Sequence, residues 1–345
     1  MRQLLLLLAF LAAHVLHGQK FVVSELADIP EMRTMNSYTL SNVDGSYTST
    51  SYTEPLFFNK QGQFLPIDLK VTENNSSKHL DYPLLNASNC FSSYLPNQIN
   101  QGFLTEFPGN NVIKDFLDTK MYIEIDGLPS SIQSIGNSFV KPAHQGAVYK
   151  DVYEAIDLSV QIMNGRRKVD YIINSVSAFN AFPLEAEFLV FEERIVLPAF
   201  WTAKLQEGGL IVFVDRSDSI IATYDMPVLI EPNAIRDQNS VSSVTIDKAV
   251  FFDLIDSEDG YIIKTKVNMN WLRSPIRTFP IIVDPDLISG TLITYFYDQS
   301  WPIQYQTKVL NSSFSIAPSG STIDDVSIAI SPYFVFSTDI TYSIE

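Results

Sequence analysis

The stretch from Ile156 to Ile173, IDLSVQIMNGRRKVDYII, decides the fold class. Ile156, Leu158, Val160 and Ile162 alternate with Asp157, Ser159 and Gln161, and after Asn164-Gly165 the same period resumes in Val169, Tyr171 and Ile173. A period of two marks a strand with one packed and one wet face, and Asn-Gly supplies the positive φ values of a tight primed turn. The segment reads as a β-hairpin with Asp157 facing outward. Further along, Ile263, Thr265, Val267 and Met269 alternate with Lys264, Lys266, Asn268 and Asn270, and Trp271 continues the inward side as a core anchor.

Working outward, Asp44-Gly45, Gly208-Gly209 and Asp259-Gly260 punctuate segments rich in Tyr, Phe, Val, Ile and Thr. Only Val112 to Leu117 suggests a turn of helix. Glu192, Glu193 and Arg194 interrupt an aromatic region and read as a turn or an edge, while Arg166, Arg167 and Lys168 read as a solvated loop. The expected fold is all-β, an elongated antiparallel β-sandwich in one or two lobes, followed by the start of a further β domain.

Residues 1–19 carry Arg2, an apolar run and Gly18-Gln19, the layout of a secretory signal peptide too short to span a bilayer. The remainder divides into an N-terminal β region, 20–144, a second β region, 145–286, and a segment, 287–345, that reads as the beginning of a truncated β domain. Sequons at Asn74, Asn75, Asn86 and Asn311 indicate surface loops.

Among the 345 residues, Lys and Arg number 23 against 39 Asp and Glu, a formal net charge of −16 that opposes binding to phosphate backbones or anionic lipid. The single cysteine, Cys90, excludes an intrachain disulfide, and its surroundings match no nucleophile signature. Beyond the leader the only imidazoles are His79 and His144, both in loops read as surface, far from any nucleophile motif. No HExxH, CxxC, GxGxxG or P-loop string occurs, so the sequence names no catalytic residue, no metal ligand and no cofactor. The acidic run Asp253, Asp256, Glu258, Asp259 lacks the order of an EF-hand and reads as a polar hairpin turn.

Two segments carry a family resemblance. Residues 33–68 contain Asp44, Gly45, Pro55, Leu56, Gly62, Phe64, Ile67 and Asp68 in a strand-turn-strand setting. Tyr149, Asp151, Val152, Tyr153, Asp157 and Leu158 are followed about a hundred residues later by Trp271, Leu272, Arg277, Pro280, Val283, Asp284 and Pro285. Together they resemble the N-terminal β-rich region of bacterial RHS/YD-repeat and DNRLRE-containing surface proteins. Ala155 stands where Gly is common and Phe279 where Tyr is common. The Gly18-Gln19 ending of the leader also resembles exported Bacteroidetes cargo.

The resemblance implies an extracellular or outer-surface, non-catalytic structural or adhesive module in a larger protein. Its expected partners are a protein or a polysaccharide at the cell surface, with no nucleic acid and no membrane insertion after leader cleavage. One alternative is a carbohydrate-binding module stacking sugars on Trp201 and Trp301; another is a glycan hydrolase or lyase on a β scaffold, using paired carboxylates. For the hairpin, Gly165→Val is expected to destabilise the protein by about 1–2 kcal/mol, the cost of a left-handed conformation for an L residue, and an unchanged denaturation midpoint would count against the turn.

Overall fold

The computed structural model describes residues 27–41, 47–52, 54–231 and 249–289, with the backbone of short strands at 293–297, 305–309 and 328–329. The leader, the Asp44-Gly45 turn, Trp301, Asn311 and most of 287–345 lie outside the described side chains.

The protein is all-β, and two large antiparallel sheets form a sandwich. One sheet runs in the order Val250–Ser257, Gly260–Asn268, Phe188–Val196, Asn111–Ile125, Phe103–Phe107, Ser92–Leu95, Leu84–Asn86, Thr72–Glu73, and Leu128–Ser134 also pairs with Asn111–Ile125. The other begins Val140–Ala143, Gly146–Tyr153, Ile156–Met163, Arg166–Ile173, continues through Asp286–Ser289 to Ile220–Tyr224, Ile211–Val214 and Thr202–Leu205, and adds Ile281–Asp284 and Val228–Ile230. Both hydrophobic clusters draw residues from before and after residue 144.

The deciding hairpin forms as read, with Met163 opposite Arg166 and Ile156 opposite Ile173. Of its two turn residues only Gly165 has positive φ, +66°, so the turn is not the doubly positive type that Asn-Gly suggested. A Cβ on Gly165 would also lie 2.5 Å from Pro55 Cγ, which adds a steric penalty to the backbone one. Doubly positive turns occur instead at Gln61-Gly62, φ +54° and +87°, and at Asp126-Gly127, φ +52° and +72°. Ile263, Thr265, Val267 and Met269 are all buried as expected, although the strand ends at Asn268 and a single helical turn, Met269–Leu272, carries Trp271. Trp271 is partly buried against the core, and the Arg277 guanidinium lies 3.9 Å from its ring centroid.

Several local expectations are corrected. Val112 to Leu117 lies within the strand Asn111–Ile125, not in a helix. Positive φ at Phe116 and Asp118 and two register shifts bulge this strand, so that Asp115 and Phe116 are buried in succession and Ile113, Phe116 and Leu117 mimic a helical spacing. Glu192, Glu193 and Arg194 occupy an inner strand, flanked by Asn111–Ile125 and Gly260–Asn268. Glu193 shares the inward parity of Leu189, Phe191 and Ile195. Asp157 is buried, accepting hydrogen bonds from Lys150 Nζ (2.6 Å), the Asp151 amide (2.9 Å) and Asn174 Nδ2 (3.0 Å). Asn86 is buried too, and its amide donates to the carbonyls of Asp68 and Lys70, so this sequon is no surface loop.

The basic triplet is the largest departure. Arg166, Arg167 and Lys168 begin a strand, and Arg167 takes the parity of Val169, Tyr171 and Ile173, which points it between the sheets with no exposure. There it pairs with Asp115 through Nη2, donates from Nη1 to Thr105 Oγ1 at 2.5 Å and covers the Phe103 ring. Tyr224 OH donates to the same Asp115 oxygen at 2.5 Å, tying together strands of both sheets. Burial pushes Asp115 upward, opposed by the Arg167 charge and by hydrogen bonds from Tyr224 and Arg167. Burial pushes Glu193 well above the carboxylate range, and the Asp115 charge pushes it further. Asp115 has the direct Arg167 contact, whereas the Arg167 charge and a hydrogen bond with Tyr224 only partly oppose the rise of Glu193. Packing around this network is aromatic, with Tyr171 stacked on Phe191 at 4.0 Å across the sheets.

Because its folded pKa is raised, the stabilisation linked to Glu193 is complete below the ordinary carboxylate range and is lost as pH climbs through the folded value. Glu193→Gln, which keeps the shape and needs no proton, should therefore gain about 1 kcal/mol or more over the wild type on moving from about pH 5 to about pH 9. Denaturant unfolding at the two pH values measures this, and an identical difference at both would reject a protonated Glu193.

Candidate functional site

On the outer face of the first sheet, adjacent strands place Tyr94 and Glu106 side by side, and the loop 74–82 folds over them. Period two explains the positions: Phe103, Thr105 and Phe107 point into the sandwich, so Glu106 points out. Lys78 Nζ donates to Glu106 Oε1 at 2.6 Å and to Asn110 Oδ1 at 3.2 Å. Tyr94 OH donates to Glu106 Oε2 at 3.1 Å, and His79 Nε2 lies 3.8 Å from the same oxygen. The His79 imidazole meets the Tyr94 ring edge-on at 4.7 Å, and Tyr82 flanks Tyr94 at 6.4 Å. An imidazole, a carboxylate, an ammonium and two phenols thus meet beneath the loop, with Lys78 exposed, Glu106 largely covered and Tyr94 buried.

His79 is held in the left-handed region, φ +51°, which a histidine adopts only when its surroundings impose it. Asn74 imposes it: its Nδ2 donates to the carbonyls of Lys78, His79 and Tyr82 at 3.1, 3.1 and 2.9 Å, while its Oδ1 accepts from Ser76 Oγ at 2.6 Å. The Asn74 sequon is therefore a loop organiser whose amide nitrogen is fully engaged. Desolvation alone would raise Glu106, yet hydrogen bonds from Lys78 and Tyr94 and the charges of Lys78 and His79 hold it below the usual carboxylate value. Burial and the Glu106 charge push the Tyr94 hydroxyl up to about 12. At neutral pH Glu106 is thus a carboxylate and Tyr94 a neutral donor.

A second constellation lies on the other sheet, where Lys168 pairs with Asp284 and Asp170 beside Asp286. Among the described residues no three His, Cys, Asp or Glu side chains are arranged to hold a metal ion. Trp201 is partly buried, its ring 5.5 Å from Phe107 at the border of the core. Cys90 is buried near Gly165, and burial pushes its thiol up to about 11. Of the acidic run 253–259 only Glu258 and Asp259 form the hairpin turn; Asp253 and Asp256 lie in the strand Val250–Ser257, where Asp253 pairs with Lys266 at 3.3 Å. His144 is exposed, away from the Glu106 cluster in the turn joining Val140–Ala143 to Gly146–Tyr153.

Sequence reasoning passed over the His79 cluster because Lys78 and Glu106 are 28 residues apart and only the folding of the loop 74–82 over two paired strands unites them. The one local signal was Asn74-Asn-Ser-Ser, a run of side chains that hydrogen-bond their own backbone and impose turns.

Three relatives are similar over 309 residues, 85% of this chain. They are the tRNA3(Ser)-specific nuclease WapA of Bacillus spizizenii, 23% identical, the tRNA(Glu)-specific nuclease WapA of Bacillus subtilis subsp. natto, 22%, and the tRNA nuclease WapA of Bacillus subtilis strain 168, 23%. The chain spans about 12% of the length of each. No protein-family model matches, and no solved structure matches.

These relatives overturn the reading based on resemblance. They are named as tRNA nucleases rather than as RHS/YD-repeat or DNRLRE-containing surface proteins. With that placement go the non-catalytic adhesive role, the absence of enzymatic activity, the sugar-binding and glycan-cleaving alternatives, and the exclusion of nucleic acid as a partner. Net charge is a sum over the chain and does not by itself exclude a local nucleic-acid contact.

For the loop that carries His79, Asn74→Ala removes the amide that donates to three backbone carbonyls. It should speed amide exchange and proteolysis within 74–82 by about tenfold, since each hydrogen bond is worth about 1 kcal/mol, while the global unfolding midpoint moves little. Unaltered exchange in the loop would show that Asn74 does not organise it.

Proposed function

We propose that this chain is part of a protein that cleaves tRNA, and that it contributes a side-chain acid–base site at Glu106 and His79. The observation that carries this reading is the similarity, along 85% of the chain, to three proteins named as tRNA nucleases. The surface cluster supports it chemically. RNA can be cleaved by its own 2′-hydroxyl: a base takes the 2′ proton, the 2′ oxygen attacks phosphorus, and an acid protonates the departing 5′ oxygen. Glu106, kept ionised by Lys78 and Tyr94, is the base in this scheme, and His79 is the acid. Lys78 and the Tyr94 hydroxyl offset charge that develops on the phosphoryl oxygens.

The acidity of the chain shapes the interaction. With a net charge of −16, contact with RNA is confined to a few local cations such as Lys78, and binding falls only shallowly with salt. Tyr82 offers a ring beside the cluster for an unpaired base. The layout of residues 1–19 supports export, so we further propose that the protein acts outside the cytoplasm that makes it.

The test is cleavage of purified tRNA by the full chain, with His79→Gln, Glu106→Gln and Lys78→Met alongside. Wild-type cleavage with a bell-shaped pH profile is expected, and His79→Gln and Glu106→Gln should each lower the rate about 10²–10⁴-fold. Lys78→Met should cost less and weaken the salt dependence. Absence of cleavage by a folded wild-type chain, or cleavage unaffected by the first two substitutions, would overturn the assignment.

A further inference from the structure

We propose that Lys168, Asp170, Asp284 and Asp286 form a proton-operated latch at the seam between the consecutive strands Ile281–Asp284 and Asp286–Ser289, closed while a carboxyl keeps a proton and loosened when it is lost. The proposal stands apart from the tRNA reading and uses none of its residues.

The seam comes from topology. The strand Arg166–Ile173 runs unbroken along one side, pairing Arg166, Arg167 and Lys168 with Ile288, Leu287 and Asp286, and then Tyr171, Ile172 and Ile173 with Val283, Ile282 and Ile281. Pro285, which has no amide to donate, lies at the changeover. On the far side the partner changes at the same level, from Ile220–Tyr224 to Val228–Ile230, and the Asp225 amide bridges the step by donating to the Asp286 carbonyl at 2.8 Å. Backbone pairing is therefore interrupted on both flanks at one level, and the side chains gathered there must hold it.

Those side chains are unevenly charged. Lys168 Nζ pairs with Asp284 Oδ2 and lies 3.3 Å from Asp170 Oδ1. Arg166 approaches Asp286 at 3.6 Å from the same strand and is shared with Glu54 at 3.9 Å. Asp225, on the connection between the two far-side strands, faces Arg166 and Asp284. The acids Asp170, Asp225, Asp284 and Asp286 thus answer to two cations, one of them divided with Glu54.

Asp284 is 93% buried, and its Oδ1 finds no partner. Asp286 Oδ1 is likewise buried without a hydrogen-bond partner, and Asp170 Oδ1 has the Lys168 ammonium only at 3.3 Å. Ionised carboxylates in such positions repel one another, whereas one added proton turns an orphaned acceptor into a donor to its neighbour. Desolvation first, and the charge of Asp284 next, push Asp170 up to about 7 and Asp286 well above the carboxylate range. Desolvation raises Asp225 as well, with Asp284 adding to it and Arg166 opposing. Burial works against the charge on Lys168, and the surrounding acids more than restore it, so the ammonium persists while the carboxyls titrate.

Because these folded values lie above the unfolded ones, the stability they confer is present at low pH and is lost between about pH 4 and pH 7 and above. The loss falls on the seam, where the strand pairs already change partner.

The experiment is amide exchange on the full chain at about pH 6 and about pH 8, corrected for intrinsic rates, in the wild type, Asp170→Asn and, as a control, Glu193→Gln. In the wild type and in the control, the opening constant of amides in 168–173 and 281–289 should rise about tenfold or more with pH, while Asp170→Asn stays flat. Equal pH responses in the wild type and Asp170→Asn would overturn the latch. An infrared titration of Glu193→Gln, which removes the contribution of that other raised carboxyl, keeps the test decisive should Asp170→Asn fail to fold. A protonated carboxyl band that disappears between about pH 6 and pH 8 supports the latch, and its absence rejects it.

Discussion

The structure turns on one guanidinium without access to water. Arg167 enters the sandwich from the second sheet, and Thr105 and Asp115 from the first sheet, with Tyr224 from the second, complete its surroundings. A charge there is tolerable only with an opposite charge and hydrogen bonds in contact, since an unpaired buried ion costs several kcal/mol. The two sheets are thereby bound to one register. A slip of one residue in Arg166–Ile173 would turn Arg167 out and bring Arg166 and Lys168 in, with no acid opposite.

The same requirement accounts for irregularities in the first sheet. The bulge at Phe116 and Asp118 allows Asp115 to reach Arg167 while Phe116 packs on Phe103 and Tyr171. A regular strand would place one of the two outside. Glu193, aimed at the same interior, shares the Arg167 charge with Asp115, and burial together with the Asp115 charge pushes it well above the ordinary carboxylate value. On the outer face no such limit applies, and an alternating ladder of ion pairs runs through Lys120, Glu192, Lys264, Glu124, Lys266 and Asp253 in partial contact with water.

The proposed site rests on chemistry that summed properties do not display. A chain of net charge −16 gathers Lys78, His79 and Glu106 at one point because a short loop, strained at His79 and held by Asn74, lies across two strands. The resemblance to surface proteins rested on motifs that the structure explains as backbone devices. Ala155, standing where Gly is common, has φ +54° in the turn between Tyr153 and Ile156, and Asp157 binds the adjacent bulge through the Asp151 amide. Such motifs report how a β-hairpin is built and leave its chemistry open.

The sequence by itself determined the all-β class, the hairpin at Asn164-Gly165 and the inward faces of Ile156–Ile162 and Ile263–Met269, because alternation and turn residues are local and each strand displays its own period. It also contained the parity of Arg167 and Glu193, but hydrophilic type outweighed parity, and both were assigned to the surface. What only the tertiary structure decided was which groups share a space: Arg167 with Asp115, His79 with Glu106, Lys168 with Asp284. These partners lie 52, 27 and 116 residues apart in the chain, and strand pairing or sheet packing, neither visible in any local window, brings them into contact.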